Sequence, residues 1–246
     1  MLKTSNENTE VTLIDEQNDF IIALKPAGMS FHDEGVLGSG LFSIIKSQGD
    51  YNELYPVHRL DKMTSGLIIF AKNKTTAKLF QQLFEQHKIQ KFYLALSDKK
   101  PTKKQGLIKG DMAKSRRGMF KLLRSANNPA VTQFFSYAVG NKQRLYLLKP
   151  HSGKTHQLRV ALSSIGAPII GDVLYYSNND NVQQSDNVIA NIDRGYLHAY
   201  ALKFSYLDEQ YEFINPPSDG EHYLTEEVIE KLVAIKKPWL LNWPRL

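Results

Sequence analysis

Every apolar run in this chain is short. The cleanest, Leu67-Ile68-Ile69-Phe70-Ala71, is bounded by Gly66 and Lys72, and a run of that length with such flanks is a candidate buried strand. Nothing approaches the roughly 20 apolar residues that a membrane helix needs. Met1 to Glu10 is polar and lacks the apolar centre of a secretory leader. The other strand-length segments follow the same design. Val11–Ile14 and Phe20–Leu24 flank a polar Asp15-Glu16-Gln17-Asn18 turn, and Lys25-Pro26-Ala27-Gly28 ends the second of them. Pro fixes φ there and Gly accepts φ > 0. Lys91–Ser97 alternates Phe92, Leu94 and Leu96 against Tyr93 and Ala95, a strand period. Val131–Val139 and Arg144–Leu148 read as partners across Gly140-Asn141, and Tyr196–Tyr206 and Gln210–Ile214 complete the set.

Helical spacing is confined to three stretches. From Thr75 to Lys88, Phe80, Leu83, Phe84 and His87 fall at i, i+3, i+4 and i+7. In Thr155–Ile165, residues Leu158, Ala161, Leu162 and Ile165 make a core stripe and Gly166 stands at the position of a C-terminal cap. His156, Arg159 and Ser163 share a neighbouring stripe, free to face a cleft. Thr225–Ile235 is the last helix, and Trp239 and Trp243 beyond it are expected to pack the tail onto the body. Strands outnumber helices and are mostly sequence-adjacent, which predicts an α+β fold with a mainly antiparallel sheet and flanking helices. Residues 1–10 read as a flexible tail, 177–191 as a polar loop, and 11–246 as a single domain with no internal repeat. A chain of 246 residues buries a core without disulfide or metal staples.

Composition narrows the chemistry. With 42% hydrophobic and 23% charged residues, wholesale disorder is excluded. The chain has no cysteine, which removes thiol catalysis, cysteine-based zinc sites and iron–sulfur clusters and fits a reducing cytoplasm. The net charge of +6 is unevenly placed. Residues 99 to 124 hold ten bases, among them Lys103, Lys104, Arg116 and Arg117, against the single acid Asp111. That segment alone is +9, so the remainder of the chain carries −3. With few apolar residues, it is expected to be a mobile loop or hairpin suited to a polyanion.

No GxGxxG, GxxxxGK[ST], HExxH or GxSxG occurs. Among the seven histidines only His58, in an HxxD pair with Asp61, has the spacing of a metal-ligand pair, a weak metal signal, and no metal or other cofactor is expected. Two stretches are dense in reactive side chains. In His58-Arg59-Leu60-Asp61-Lys62-Met63-Thr64-Ser65-Gly66-Leu67, a carboxylate sits between cations at the mouth of a buried strand. Such a group serves as nucleophile or general base, although a loop salt bridge meets the same spacing. In Lys149-Pro150-His151-Ser152-Gly153-Lys154-Thr155-His156-Gln157-Leu158-Arg159, Thr155 is a possible helix cap, Gly153 and Lys154 could meet a phosphate, and Arg159 emerges one turn in.

The stretch His58-Arg59-Leu60-Asp61-x-x-Thr64-Ser65-Gly66-Leu67 resembles the signature of the RluA-type RNA pseudouridine synthases. Four further segments resemble that family's motifs in order. They are Asn18 to Met29, running into Lys25-Pro26-Ala27-Gly28; Lys91-x-Tyr93-x-Ala95; Ser152 to Val160 with Gly166 to Asp172; and Leu197-His198-Ala199 with Phe213-x-x-Pro216. One departure is Lys154, where the family usually has arginine. The resemblance implies the pseudouridine synthase catalytic fold with a central active-site cleft. It implies an isomerase that converts uridine to pseudouridine in structured RNA, ribosomal or transfer, without a cofactor. Asp61 matches the family's catalytic aspartate, Tyr93 the tyrosine that packs on the target base, and Arg159 the arginine that pairs with the aspartate. Arg59 matches the arginine that fills the space of the extruded base. His58, Lys154, Lys103, Lys104, Arg116 and Arg117 are the further residues expected at the RNA. A monomer without the family's optional N-terminal RNA-binding module is expected. Two other readings remain at this point: an RNA chaperone on a synthase-like fold, and a hydrolase holding a metal through His58 and Asp61.

Overall fold

The structure, a computed structural model, describes residues 10–49, 51–176 and 192–246. The expected tail lies outside these residues except for Glu10, and the expected loop at 177–191 lies outside them entirely. The elements in chain order are β1 (Leu13–Glu16), β2 (Phe20–Lys25), α1 (Leu41–Gln48), β3 (Tyr55–Pro56), β4 (Ser65–Ala71), α2 (Lys74–Glu85), β5 (Gln90–Ser97), β6 (Gln105–Gly110), β7 (Met112–Lys114), β8 (Phe120–Leu122), β9 (Ala130–Ala138), β10 (Arg144–Pro150), α3 (Gln157–Ser164), β11 (Leu197–Tyr206), β12 (Glu209–Ile214) and α4 (Glu226–Ala234).

Ten strands form one sheet in the order β1-β2-β4-β11-β5-β10-β9-β6, with β12 beside β11 and β3 beside β4. The sheet is antiparallel except at its centre, where β4 and β11 run parallel over Ser65–His198 and Gly66–Ala199. The uninterrupted apolar run of β4 follows from cover on both faces. Leu67, Ile69 and Ala71 point with Phe20, Ile22 and Phe80 toward α2. Ile68 and Phe70 point with Ile21, Leu41 and Ile45 toward α1. A strand alternates sides at each residue, so a strand buried on both faces has no polar position to show.

The parallel seam depends on Gly66. Its φ of +109° is glycine territory, and a Cβ there would meet the Ala199 carbonyl oxygen at 2.3 Å. Beside it the Arg194 guanidinium donates to Ser65 Oγ. The Ser65 hydroxyl lies 2.7 Å from His198 Nδ1, and His198 Nε2 lies 2.8 Å from the Asn215 carbonyl. His198 is therefore a neutral ring with both nitrogens satisfied, and burial holds its pKa down to about 4. His58 is likewise neutral. Its Nε2 accepts from the Ile69 N–H at 3.0 Å, and burial, helped by the Lys91 charge, holds its pKa down to about 3. Unfolded histidines titrate near 6.5. Below that pH the unfolded chain takes up protons that the folded chain refuses, so the stability these rings contribute is complete above pH 6.5 and is lost as pH falls toward 4. Thermal unfolding followed from neutral pH down to about pH 4 is expected to show a loss of a few kcal/mol from this source, and His198→Gln should blunt that decline.

The basic segment 99–124, expected as a loop or hairpin, is in part a hairpin: Met112–Leu122 is two-stranded and turns through Arg116–Gly118, while Gln105–Gly110 adds an edge strand paired with β9. The hairpin is closed by Asp111, the segment's one acid, whose carboxylate accepts from the backbone N–H groups of Asn127 and Asn128. One helix was not expected: α1, in which Leu41, Ile44 and Ile45 fall at i, i+3 and i+4. Trp239 and Trp243 pack as expected, Trp243 lying 4.8 Å from the Phe135 ring and 5.8 Å from Phe92.

Candidate active site

The loop that precedes β4 carries Asp61 and is held from below. Its turn is closed by the Thr64 N–H donating to the Asp61 carbonyl at 3.0 Å. Fully buried Lys25 donates from Nζ to the carbonyls of Pro26 (2.9 Å), Lys62 (3.0 Å) and Thr64 (2.8 Å). An ammonium has three donors, and here each has an acceptor. Burial lowers this lysine to about 7, opposed by the Asp61 carboxylate. The Gly28 N–H also donates to the Lys62 carbonyl, at 2.9 Å. The Lys-Pro-Ala-Gly turn thus fixes the backbone under Asp61, and the Asp61 side chain stays partly open at 28% exposure.

Arg159 comes from the first turn of α3 and is 6% exposed. Its Nε and Nη2 donate to the two carboxylate oxygens of Asp172, each at 2.7 Å, and its Nη1 donates to Asp61 Oδ2 at 3.4 Å. Asp172 is completely buried and also accepts from the N–H groups of Leu174 and Tyr175. The Tyr175 ring lies 5.0 Å from the guanidinium. This planar fork on a buried carboxylate fixes the arginine in register and leaves one donor for Asp61. Tyr93 stands on β5, between Ala199 of β11 and Leu148 of β10. Its phenol is pushed well above the usual tyrosine range by burial and by the Asp61 charge, so it presents a neutral ring.

Asp61, Tyr93 and Arg159 line one cleft of about 570 Å³ together with Arg59, His58 and Lys154. Lys103, Lys104, Arg116 and Arg117 lie outside it, exposed along the β6 approach and at the hairpin tip. The hairpin is nevertheless tied to the cleft. The Phe120 N–H donates to Tyr175 Oη at 2.8 Å, and Tyr175 Oη is hydrogen-bonded to His156 Nδ1 at 3.0 Å. Among the described residues none of the four cations forms an ion pair.

The sequence profile of RNA pseudouridylate synthase matches residues 19–164. The chain belongs to that family. As a pseudouridine synthase it is an isomerase acting on RNA. It is 44% identical over 232 residues to an "uncharacterized RNA pseudouridine synthase" of Haemophilus influenzae, covering 94% of this chain and 99% of the relative. It is 32% identical over 180 residues to the ribosomal large subunit pseudouridine synthase D of Borreliella burgdorferi, covering 68% of this chain but only 55% of that relative. Its fold is that of the human RNA pseudouridylate synthase domain containing 1, with a TM-score of 0.70 at 22% identity over 96% of this chain and 98% of that one.

One feature of this synthase's site differs from the sequence reading. Thr155 does not cap α3: the helix starts at Gln157, after His156 in a left-handed conformation, and the Gln157 side chain accepts from the Lys154 N–H and from Ser152 Oγ. Lys154 Nζ is engaged by Asn128 Oδ1 at 2.9 Å. His58, with Nε2 turned to the Ile69 N–H, supports β4 and keeps no free lone pair there for a metal. Asp172 was missed as a functional residue. It lies inside a motif segment, but nothing in its spacing marks it as the partner of Arg159.

Proposed function

We propose that this synthase converts uridine to pseudouridine at specific positions of structured RNA, ribosomal or transfer, with Asp61, Tyr93 and Arg159 as its catalytic residues. The single observation that carries the reading is the convergence of these three side chains on one cleft, with Arg159 Nη1 3.4 Å from Asp61 Oδ2. Asp61 attacks the ribose or removes its proton, the C1′–N1 bond breaks, the uracil turns, and C5 is joined to C1′. The C5 proton is lost and N1 is protonated, so no redox partner is consumed. A uridine in a helix must first be flipped out at a cost of a few kcal/mol. Stacking on Tyr93 returns about 1–3 kcal/mol, and Arg59 at the cleft rim fills the vacated stack. The relative named for the ribosomal large subunit favours ribosomal RNA as the first substrate to try.

The test is tritium release from RNA labelled at uridine C5, paired with chemical mapping of pseudouridine in ribosomal and transfer RNA from cells with and without the protein. Binding without release, and no mapped change in cells, would leave only the RNA-chaperone reading. In the proposed complex the exposed cations of the β6 approach and the hairpin tip hold the RNA backbone. Replacing Lys103, Lys104, Arg116 and Arg117 together by Glu is then expected to raise KM by about tenfold or more, with a smaller effect on kcat. It should also flatten the salt dependence of binding by roughly 0.7–0.9 in slope for each phosphate no longer neutralised. Steady-state tritium release reads the first effect and filter binding across a salt series the second.

A further inference from the structure

Two lysines stand at the cleft, Lys25 fully buried beneath it and Lys91 partly buried in its lining, and the fold treats them oppositely. Lys25 has an acceptor for every donor and the Asp61 charge nearby. Lys91 has neither. It leaves β5 two residues before Tyr93, on the same face of the strand, and both line the cleft. Its Nζ lies 3.4 Å from the Ser152 carbonyl, a long contact, and 5.5 Å above the Phe84 ring. Among the described residues no carboxylate pairs with it. Burial pulls its pKa down to about 8, with no opposing charge acting on it. A desolvated ammonium with donors unspent is costly to a fold. The charged groups around the cleft are of the same sign, Arg59, Lys154 and Arg159, and the one carboxylate, Asp61, already faces Arg159. An anion that pairs with it would come with the substrate, and in RNA the group with a full negative charge is the phosphodiester.

We propose that Lys91 is a phosphate receptor, gripping a non-bridging oxygen of the phosphodiester next to the flipped uridine and so setting the depth at which its ribose meets Asp61. The inference rests on the proposed reaction for the identity of that nucleotide, but its test reads binding and does not require turnover. Lys91 lines the same cleft as His58, Arg59 and the segment Ser152 to Lys154, so a backbone held by those residues would come within its reach. Phe84 and the Ser152 carbonyl hold the stem in place until the phosphate arrives.

The experiment uses the full chain and a synthetic stem-loop RNA carrying a mapped target uridine, or a transcribed ribosomal RNA helix if no target is mapped. Dissociation constants are measured across a salt series for the wild type, Lys91→Met and Lys91→Arg. Lys91→Met, which keeps the stem and removes the charge, is expected to weaken binding about tenfold or more and to lower the salt slope by roughly 0.7–0.9, the share of one phosphate. Lys91→Arg should recover most of both. On the wild type, a single neutral methylphosphonate beside the target uridine should reproduce the loss, and in Lys91→Met the same replacement should add nothing. A lysine that merely clamps Phe84 to Ser152 would lower the melting temperature and leave slope and methylphosphonate response as in the wild type; that result overturns the proposal. Should Lys91→Met fail to fold, the scan on the wild type decides, and indifference to every flanking phosphate overturns it too. Wild-type binding without tritium release would instead defeat the proposed reaction and leave the Lys91 measurement standing.

Discussion

Asp61→Asn is expected to reduce tritium release by roughly 10³–10⁴-fold or more, while RNA binding stays within a few fold and the melting temperature barely moves. The amide is isosteric with the carboxylate, so the turn closed by the Thr64 N–H onto the residue 61 carbonyl is unaffected. The charge of Arg159 does not become an orphan, because its main partner is Asp172 through two 2.7 Å bonds, whereas Asp61 is met only at 3.4 Å. What disappears is the anionic oxygen that, in the proposed reaction, attacks a ribose carbon or accepts its proton. The 28% exposure of that side chain leaves it reachable by a substrate. Single-turnover tritium release, filter binding and thermal unfolding separate the three effects. Unaltered turnover would remove Asp61 from the chemistry, and a collapse of binding would move its role to substrate recognition.

Much of the fold was legible because the local signals agree with the tertiary ones. The run Leu67–Ala71 reads as a buried strand because it is covered on both faces. The β9–β10 hairpin is visible in its turn residues, Gly140 and Asn141, both at positive φ. Two elements were hidden for physical reasons. Helix α1 begins at Gly40 without a side-chain cap; the loop before it is closed by Asp33, which accepts from the N–H groups of Gly38 and Gly40, and the sequence shows only a glycine-rich turn there. Strand β6 lies at the sheet edge with only Ile108 and Gly110 buried and Lys109 facing solvent. Charge on an edge strand guards against pairing with other chains, and that same charge makes the strand read as a loop. In the site, Asp61, Tyr93 and Arg159 were found through motifs, and the cleft brings them together. The support beneath them was not found. Lys25 looked like part of a turn, because a lysine's three carbonyl acceptors come from backbone and leave no trace in side-chain spacing. Asp172 stands in a segment whose order was noticed, but its partnership with Arg159 spans a helix, a cap and a turn, for which there is no periodicity to read.

Asp172→Asn should therefore be the most damaging change outside the reacting groups. Asp172 and Arg159 are both buried, and each satisfies the other. Removing one member of a buried pair leaves the other charge uncompensated, which costs about 3–5 kcal/mol. In a domain of this size that is a fall of roughly 10 °C or more in melting temperature. Asparagine makes the geometry worse than loss of charge alone, because its amide nitrogen would point donors at a guanidinium that has only donors. The carboxylate oxygen that also accepts from the Leu174 and Tyr175 N–H groups would have to be the retained carbonyl, which turns the NH₂ toward Nε of Arg159. Arg159 would then have a single carboxylate left to pair with, Asp61, and closing the 3.4 Å gap would take that carboxylate into a tight ion pair. The rate of tritium release measured well below the new melting temperature should thus fall by at least about tenfold, beyond any loss of folded protein, while the KM for RNA changes little. A variant that melts as the wild type does and keeps its rate would mean that Arg159 holds its place without the fork, and that the order of events in this cleft is set by something other than the clamp behind the arginine.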